Sequence, residues 1–331
     1  MRGSMRLTYM FVTLIVLMGA LFVLDLCVGA VTIPVRDVWA ALTGGDCPAV
    51  TARIVLNLRL TKAITAMLAG AALTLSGLQM QTLFRNPLAG PYVLGISSGA
   101  SLGVALFIMG APVFGLTAWM SDLGVAGAAW AGAAAVLAVI AVVGHRIKDI
   151  MVILILGMMF SSGVNAIVQI LQYLSREEAL KAFVIWTMGS LGDVTYGQLC
   201  VFVPAVSGGL ILGILAIKPL NLLLLGEEYA RTMGLDIRRS RALLFASTTL
   251  LAGTATAFCG PIGFIGLAMP HVTRLLTGDS DHRVLVPATV LSGACVLLVC
   301  DIVSKVLVLP VNAITALLGI PVVIWIVLRN R

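Results

Sequence analysis

The stretch FRNPLAGPYVLGISSGASLG, Phe84 to Gly103, carries two prolines, four glycines and three serines inside a chain that is otherwise rich in apolar runs. Proline lacks a backbone N–H and clashes with the preceding turn, so Pro87 and Pro91 forbid one unbroken helix here. Freed backbone groups at membrane depth are tolerated only where protein or a watery cavity surrounds them. The break therefore reads as a turn between two helices. Gly95, Gly99 and Gly103 then fall four apart and give the second helix a smooth face for close packing.

The rest of the chain explains why membrane depth is the right frame. Of its 331 residues, 60% are hydrophobic and 11% charged, and the mean hydropathy is +1.10. A soluble domain carries about 25% charge. Continuous apolar segments of about 20 residues are spanning helices, whereas a barrel would need alternation. Such segments fall at about ten places: 7–30, 61–82, 92–110, 123–144, 150–174, 198–217, 241–258, 262–276, 284–304 and 313–328. The eighth is short and bounded by Gly260, Pro261 and Pro270, which marks it as a broken or partial helix. The expected fold class is all-α, a polytopic membrane protein with membrane lipid around it and one transmembrane domain over 5–331. Met1–Ser4 reads as an expression scar.

With the N-terminus inside, 14 of the 21 Lys and Arg residues fall at cytoplasmic ends, His145-flanking Arg146 and Lys148 and the terminal Arg331 among them, and 7 fall outside. The positive-inside rule favours that orientation, with both termini cytoplasmic. The basic balance then reports topology, and nucleic acid is not an expected partner. The six cysteines show no CxxC spacing and read as small packing residues.

Three groups of polar residues stand out. The first is LGEEYARTMGLDIRRSR, Leu225 to Arg241, read as two short helices hinged at Gly234, with Glu227 and Arg231 four apart and able to pair. It is either a solvated connector or a docking surface for a cytoplasmic partner. The second is the stripe Ser161, Asn165, Gln169 and Gln172, on one face of the fifth span. It either hydrogen-bonds between helices or lines a path. Outside, Arg59 and Lys62 at the start of the second span and Lys305 at the end of the ninth are either snorkelling cations or a receptor for acidic residues of an external partner. Asp301, four before Lys305, is placed to pair with it.

Chemistry is poorly served. His145, His271 and His282 form no HExxH or ligand set, and there is no GxxxxGK[ST], so the chain has no phosphate cradle of its own. Asp25 and Asp301 lie near outer helix ends, not at the depth a proton-coupled carrier uses. No catalytic residue, metal site or cofactor is expected. A polar-striped bundle without an energy source suggests a transporter driven by a separate ATPase; a stand-alone secondary transporter and an intramembrane enzyme are the rival readings.

Five segments carry a family resemblance in order: Gly77–Gly103, WTMGSLGD (Trp186–Asp193), Leu225–Arg241, GPIGFIGLAMPHVTRLLTGDSDHRVLVPA (Gly260–Ala288) and LPVNAITALLGIPVVIWIVLR (Leu309–Arg329). They resemble the FecCD family, the permease subunits of type II ABC importers for ferric siderophores, haem and cobalamin. The resemblance implies a ten-helix subunit of the bacterial inner membrane, dimerised with a second copy or a related permease. It also implies two cytoplasmic ATP-binding subunits, which hold the ATP and Mg, and a periplasmic substrate-binding protein. Gly226, Glu227, Arg231 and Gly234 then sit in the ATPase-coupling helices. Asn86 and Leu88 of Asn86-Pro87-Leu88-Ala89 correspond to an inner gate, while no motif marks a second gate element near Ile150. The family's outer Arg-Leu-Pro-Arg reads here Arg59-Leu60-Thr61-Lys62, and lysine is a point charge where arginine is a fork. Val308 to Asn312 also departs from the family pattern. The substrate is expected to be an iron chelate, with cobalamin as the alternative.

Overall fold

The computed structural model describes residues 2–110, 122–144, 147 and 149–329. His145, Arg146, Lys148 and Arg331, used above for topology, and Met1 of the leading scar lie outside them. Among the described residues every regular element is helical: α1 (Arg2–Cys27), α2 (Val35–Thr43), α3 (Ala49–Arg53), α4 (Leu60–Leu83), α5 (Ile96–Gly110), α6 (Asp122–Gly144), α7 (Ile150–Leu174), α8 (Glu177–Thr187), α9 (Tyr196–Leu215), α10 (Ile217–Leu223), α11 (Glu227–Thr232), α12 (Ile237–Thr248), α13 (Thr254–Cys259), α14 (Ile265–Thr277), α15 (His282–Leu307) and α16 (Val311–Arg329). A π-helical turn, Ile54–Arg59, fuses α3 to α4, and another, Thr249–Gly253, fuses α12 to α13.

Each of the ten expected spans coincides with helix. Six helical runs are long and apolar enough to cross a membrane, and α5, α16 and the apolar part of α6 are shorter. The remaining one, the eighth span, is α14, the partial helix: it is preceded by Phe264 at φ +64°, in the left-handed region, and contains Pro270. Two hydrophilic stretches between the expected spans are largely helical. The piece 32–60 holds α2, α3 and the π turn, so the second span begins at Ala49. The piece 175–198 holds α8. Short amphipathic helices mix charge and apolar residues, and averaged hydropathy does not separate them from connectors.

The core forms around α4. In the run Ala49–Leu83, 83% of the most apolar stretch is buried, against 17% in α1 and in α7. Glycine makes that possible. A Cβ on Gly77 would meet the carbonyl of Gly266 in α14, and one on Gly70 the carbonyl of Gly293 in α15. Close approach lets the backbones of neighbouring helices touch where lipid offers no hydrophobic drive between them. Gly99 and Gly103 of α5 stand in the same relation to Gly132 and Ala128 of α6, as their spacing suggests. Buried polar side chains bridge the same seams. Thr74 Oγ1 lies 3.1 Å from Thr289 O on α15. Gln79 Nε2 donates to Ser247 Oγ at 2.9 Å and its Oε1 accepts from Thr248 at 2.9 Å.

Candidate functional site

At the end of the bundle where α4 finishes, α10 and α11 run into α12. Gly226 holds φ +102° and Gly234 φ +83°, conformations that suit glycine alone, so both act as breaks bounding α11. Asp236 caps α12 by accepting from Arg239 N at 3.1 Å. The short helix α11 and the Gly234 hinge are as read from sequence, whereas the second helix is the start of the 23-residue run Ile237–Cys259 and the ion pair has another partner. Glu227 takes a bidentate clamp from Arg241, at 2.9 Å (Nε to Oε1) and 2.6 Å (Nη2 to Oε2), and Arg231 is exposed. The chain folds back at Gly234, which brings α12 against α11; a rule based on one helical face does not reach that contact. Glu228 and Arg231 remain on the outer surface of α11.

The Asn86 loop lies at the same end. Asn86 Oδ1 accepts from Leu88 N at 2.9 Å, an Asx-turn that holds Leu88 outward, 48% exposed. Arg85 takes φ +48° to enter the turn. From α14, His271 Nε2 donates to Pro87 O at 2.7 Å, and Arg274 Nη1 donates to Gln81 Oε1 at 2.8 Å, while Gln81 Nε2 donates to Leu267 O at 2.9 Å. The loop is thus rigidly mounted on α4 and α14 while its tip stays free. Beside it, Asp281 caps α15, and its carboxyl is held below the usual carboxylate range by the Arg283 N–H and then by the Asn221 amide.

The opposite end corrects the reading of the outer cations. Arg59 is only 8% exposed and donates to Leu26 O (2.8 Å), Cys27 O (2.7 Å) and Val31 O, carbonyls at and just beyond the end of α1. Lys305 bridges Asp25 and Asp301, at 2.8 Å each, and Lys62 reaches Asp301 at 3.1 Å. Asp25 and Asp301 are fully buried. These cations join α1, α4 and α15. Arg59 and Lys305 are turned inward and held by groups of this chain, and Lys62 is partly exposed beside Asp301, so the first two are not the outward-facing cations that the sequence suggests. A charge placed at a helix end looks exposed in sequence, and the crossing of α1 over α4 decides otherwise.

The stripe on α7 is divided. Ser161 faces α5, donating to Gly157 O at 2.8 Å and lying against Gly95. Asn165 and Gln169 are exposed and have no side-chain hydrogen bond among the described residues, and Gln172 is half-buried. Pairing within the chain therefore does not account for the two amides.

An all-helical bundle with an amide-bearing open face, a rigidly mounted loop and a charged clamp at one end has the anatomy of a transport subunit. The FecCD transport family matches residues 15–329, and the chain belongs to that family. It is 36% identical to the hemin transport system permease protein HmuU of Yersinia pestis, over 100% of this chain and 98% of that one. It is 37% identical to the vitamin B12 import system permease protein BtuC of Klebsiella pneumoniae, over 93% and 90%. A solved structure of an inward-facing ABC transporter assigned to the metal-chelate type superposes with a TM-score of 0.85 at 29% identity, covering 97% of this chain and 99% of that one. The chain is a transmembrane permease subunit of an ABC importer.

Proposed function

We propose that this chain forms half of the membrane path of an importer for an iron chelate, haem or a ferric siderophore, in the bacterial inner membrane with both termini cytoplasmic. Full-length relation to a haem permease is the observation that carries the reading. Equal relation to a cobalamin permease keeps a corrinoid as the second reading. Two permease chains enclose the path, and the exposed Asn165 and Gln169 of α7, with Gln172 and Ser161 behind them, line it as weakly polar wall. Two ATP-binding subunits, which hold the ATP and Mg, dock on Leu225–Arg241, where Gly226 and Gly234 set the angle of α11, Glu227 anchors it and Arg231 faces the partner. A periplasmic binding protein delivers the substrate to the other end, through groups other than Arg59 and Lys305. Asn86 and Leu88 form the inner gate. The permease itself makes and breaks no covalent bond.

Uptake of labelled haem and labelled cobalamin by cells carrying the complete transporter tests this. One of the two is expected to accumulate, and Asn165→Leu with Gln169→Leu is expected to lower that uptake about tenfold, the scale of one or two lost polar contacts, at unchanged membrane abundance. Full uptake by the double variant would remove the stripe from the path. Accumulation of cobalamin alone would select the second reading.

A further inference from the structure

One fully buried imidazole connects the two features that the proposed function places at the cytoplasmic end. His282, the first residue of α15, is 0% exposed. Its Nδ1 and its backbone N both lie 2.8 Å from Asn221 Oδ1, on α10. Asn221 Nδ2 lies 2.6 Å from Asp281 Oδ1. On the other side of the ring, Nε2 lies 3.0 Å from Thr82 Oγ1 in the last turn of α4.

The hydrogen positions follow from the donor inventory. If the Asn221 amide were reversed, its NH2 would face the His282 N–H and its oxygen would face the Asp281 carboxylate, so the orientation is fixed by its neighbours. Asn221 Oδ1 can only accept, which puts a proton on Nδ1. In the neutral ring Nε2 then accepts the Thr82 hydroxyl proton, and every buried polar atom of the ring is satisfied. The Thr82 hydroxyl also lies 3.0 Å from Leu78 O, its alternative acceptor inside α4.

Chain position makes the junction functional. Asn221 stands five residues before Gly226, where α10 passes to α11. Thr82 stands four residues before Asn86, and the gate turn hangs directly from it: Arg85 N donates to Thr82 O at 3.3 Å and Asn86 N to Gln81 O at 3.2 Å. On the α14 side, His271 holds Pro87 of the same turn and Arg274 holds Gln81 in the last turn of α4. Buried hydrogen bonds tolerate only a few tenths of an ångström of stretch before they weaken, and leaving a buried partner unsatisfied is costly. A shift of α10 therefore carries the His282 ring and the end of α4 with it.

We propose that the Asn221–His282–Thr82 chain is the positioning element that passes movement of the ATPase-docking helices to the Asn86–Leu88 gate loop. The inference rests on the docking and gate assignments made above. His282 acts through α4 and α10 and touches neither substrate nor nucleotide.

The test uses the complete transporter in lipid vesicles, with ATP hydrolysis and uptake measured in the same sample. Thr82→Val removes the hydroxyl at nearly constant shape, and Thr82→Ser keeps it. The valine variant is expected to lower substrate moved per ATP about tenfold, the scale of one lost buried hydrogen bond, with hydrolysis near wild type and a modest drop in thermal stability from the unpaired ring nitrogen. The serine variant should recover most of the ratio, and Asn221→Ala, which cuts the chain at its other end, should resemble the valine variant. An unchanged ratio in Thr82→Val would overturn the inference, as would parallel losses of uptake, hydrolysis and thermal stability, which mark a merely structural contact. If wild-type hydrolysis and uptake proved independent of each other, the docking assignment would fall and the inference with it.

Discussion

Replacing Glu227 with alanine is expected to lower ATP-driven uptake by one to two orders of magnitude, the range that corresponds to losing a bidentate charge-assisted hydrogen bond. The clamp to Arg241 is what fixes α11 against α12, at 2.6 and 2.9 Å with both side chains mostly covered. Without the carboxylate, α11 keeps only the buried Ala230 and its packing on α10, and it is six residues long and bounded by glycines at 226 and 234. An isolated helix of that length does not hold its shape in water. The α11 surface presented to an ATPase then loses its orientation, so hydrolysis no longer drives the path. Arg241→Lys should not substitute for arginine, since an ammonium cannot make the two parallel bonds. Exchanging the charges, Glu227→Arg with Arg241→Glu, should restore part of the uptake. Uptake and co-purification of the ATP-binding subunits, measured on the same membranes, check this. Wild-type values for both in Glu227→Ala would remove the clamp from coupling.

Lys305→Met is expected to destabilise the bundle by about 3–5 kcal/mol, the usual cost of removing one partner from a buried ion pair. Lys305 is the cation between Asp25 and Asp301, and Asp25 has no other ion-pair partner within 4 Å among the described residues. Asp301 keeps Lys62 at 3.1 Å. The loss should appear as a lower unfolding temperature in detergent and lower membrane yield. Asp25→Leu added to Lys305→Met removes the stranded carboxylate and should recover much of it, since an apolar replacement of a whole buried pair is often neutral or better. Were Lys305 instead a contact for an external protein, the single variant would unfold like wild type and lose only binding.

Hydropathy made the ten crossings legible because each apolar run is long or is ended by Gly and Pro. The turn chemistry of Asn86 to Pro91 and the hinge at Gly234 were legible for the same reason: few residues other than glycine, proline and asparagine serve there. The Glu227 clamp was not, because its partner lies fourteen residues away across a reversal of the chain. Arg59 and Lys305 read as outward cations since sequence does not show that α1 ends over the start of α4, where its last carbonyls and Asp25 receive them. Asn221 was silent inside a leucine run. His282 had one signal that could have found it, the Ser280-Asp281 pair before an apolar run, since Asp281 caps α15 and the ring lies in its first turn.

If this chain is a path opened by a separate ATPase, transport through it must depend on that ATPase. The direct measurement is uptake of the labelled chelate into vesicles holding the purified permease, with its ATP-binding subunits and binding protein added or omitted. Uptake that requires ATP and both additions is the predicted result. Uptake by the permease alone, at an unchanged rate without ATP, would contradict it.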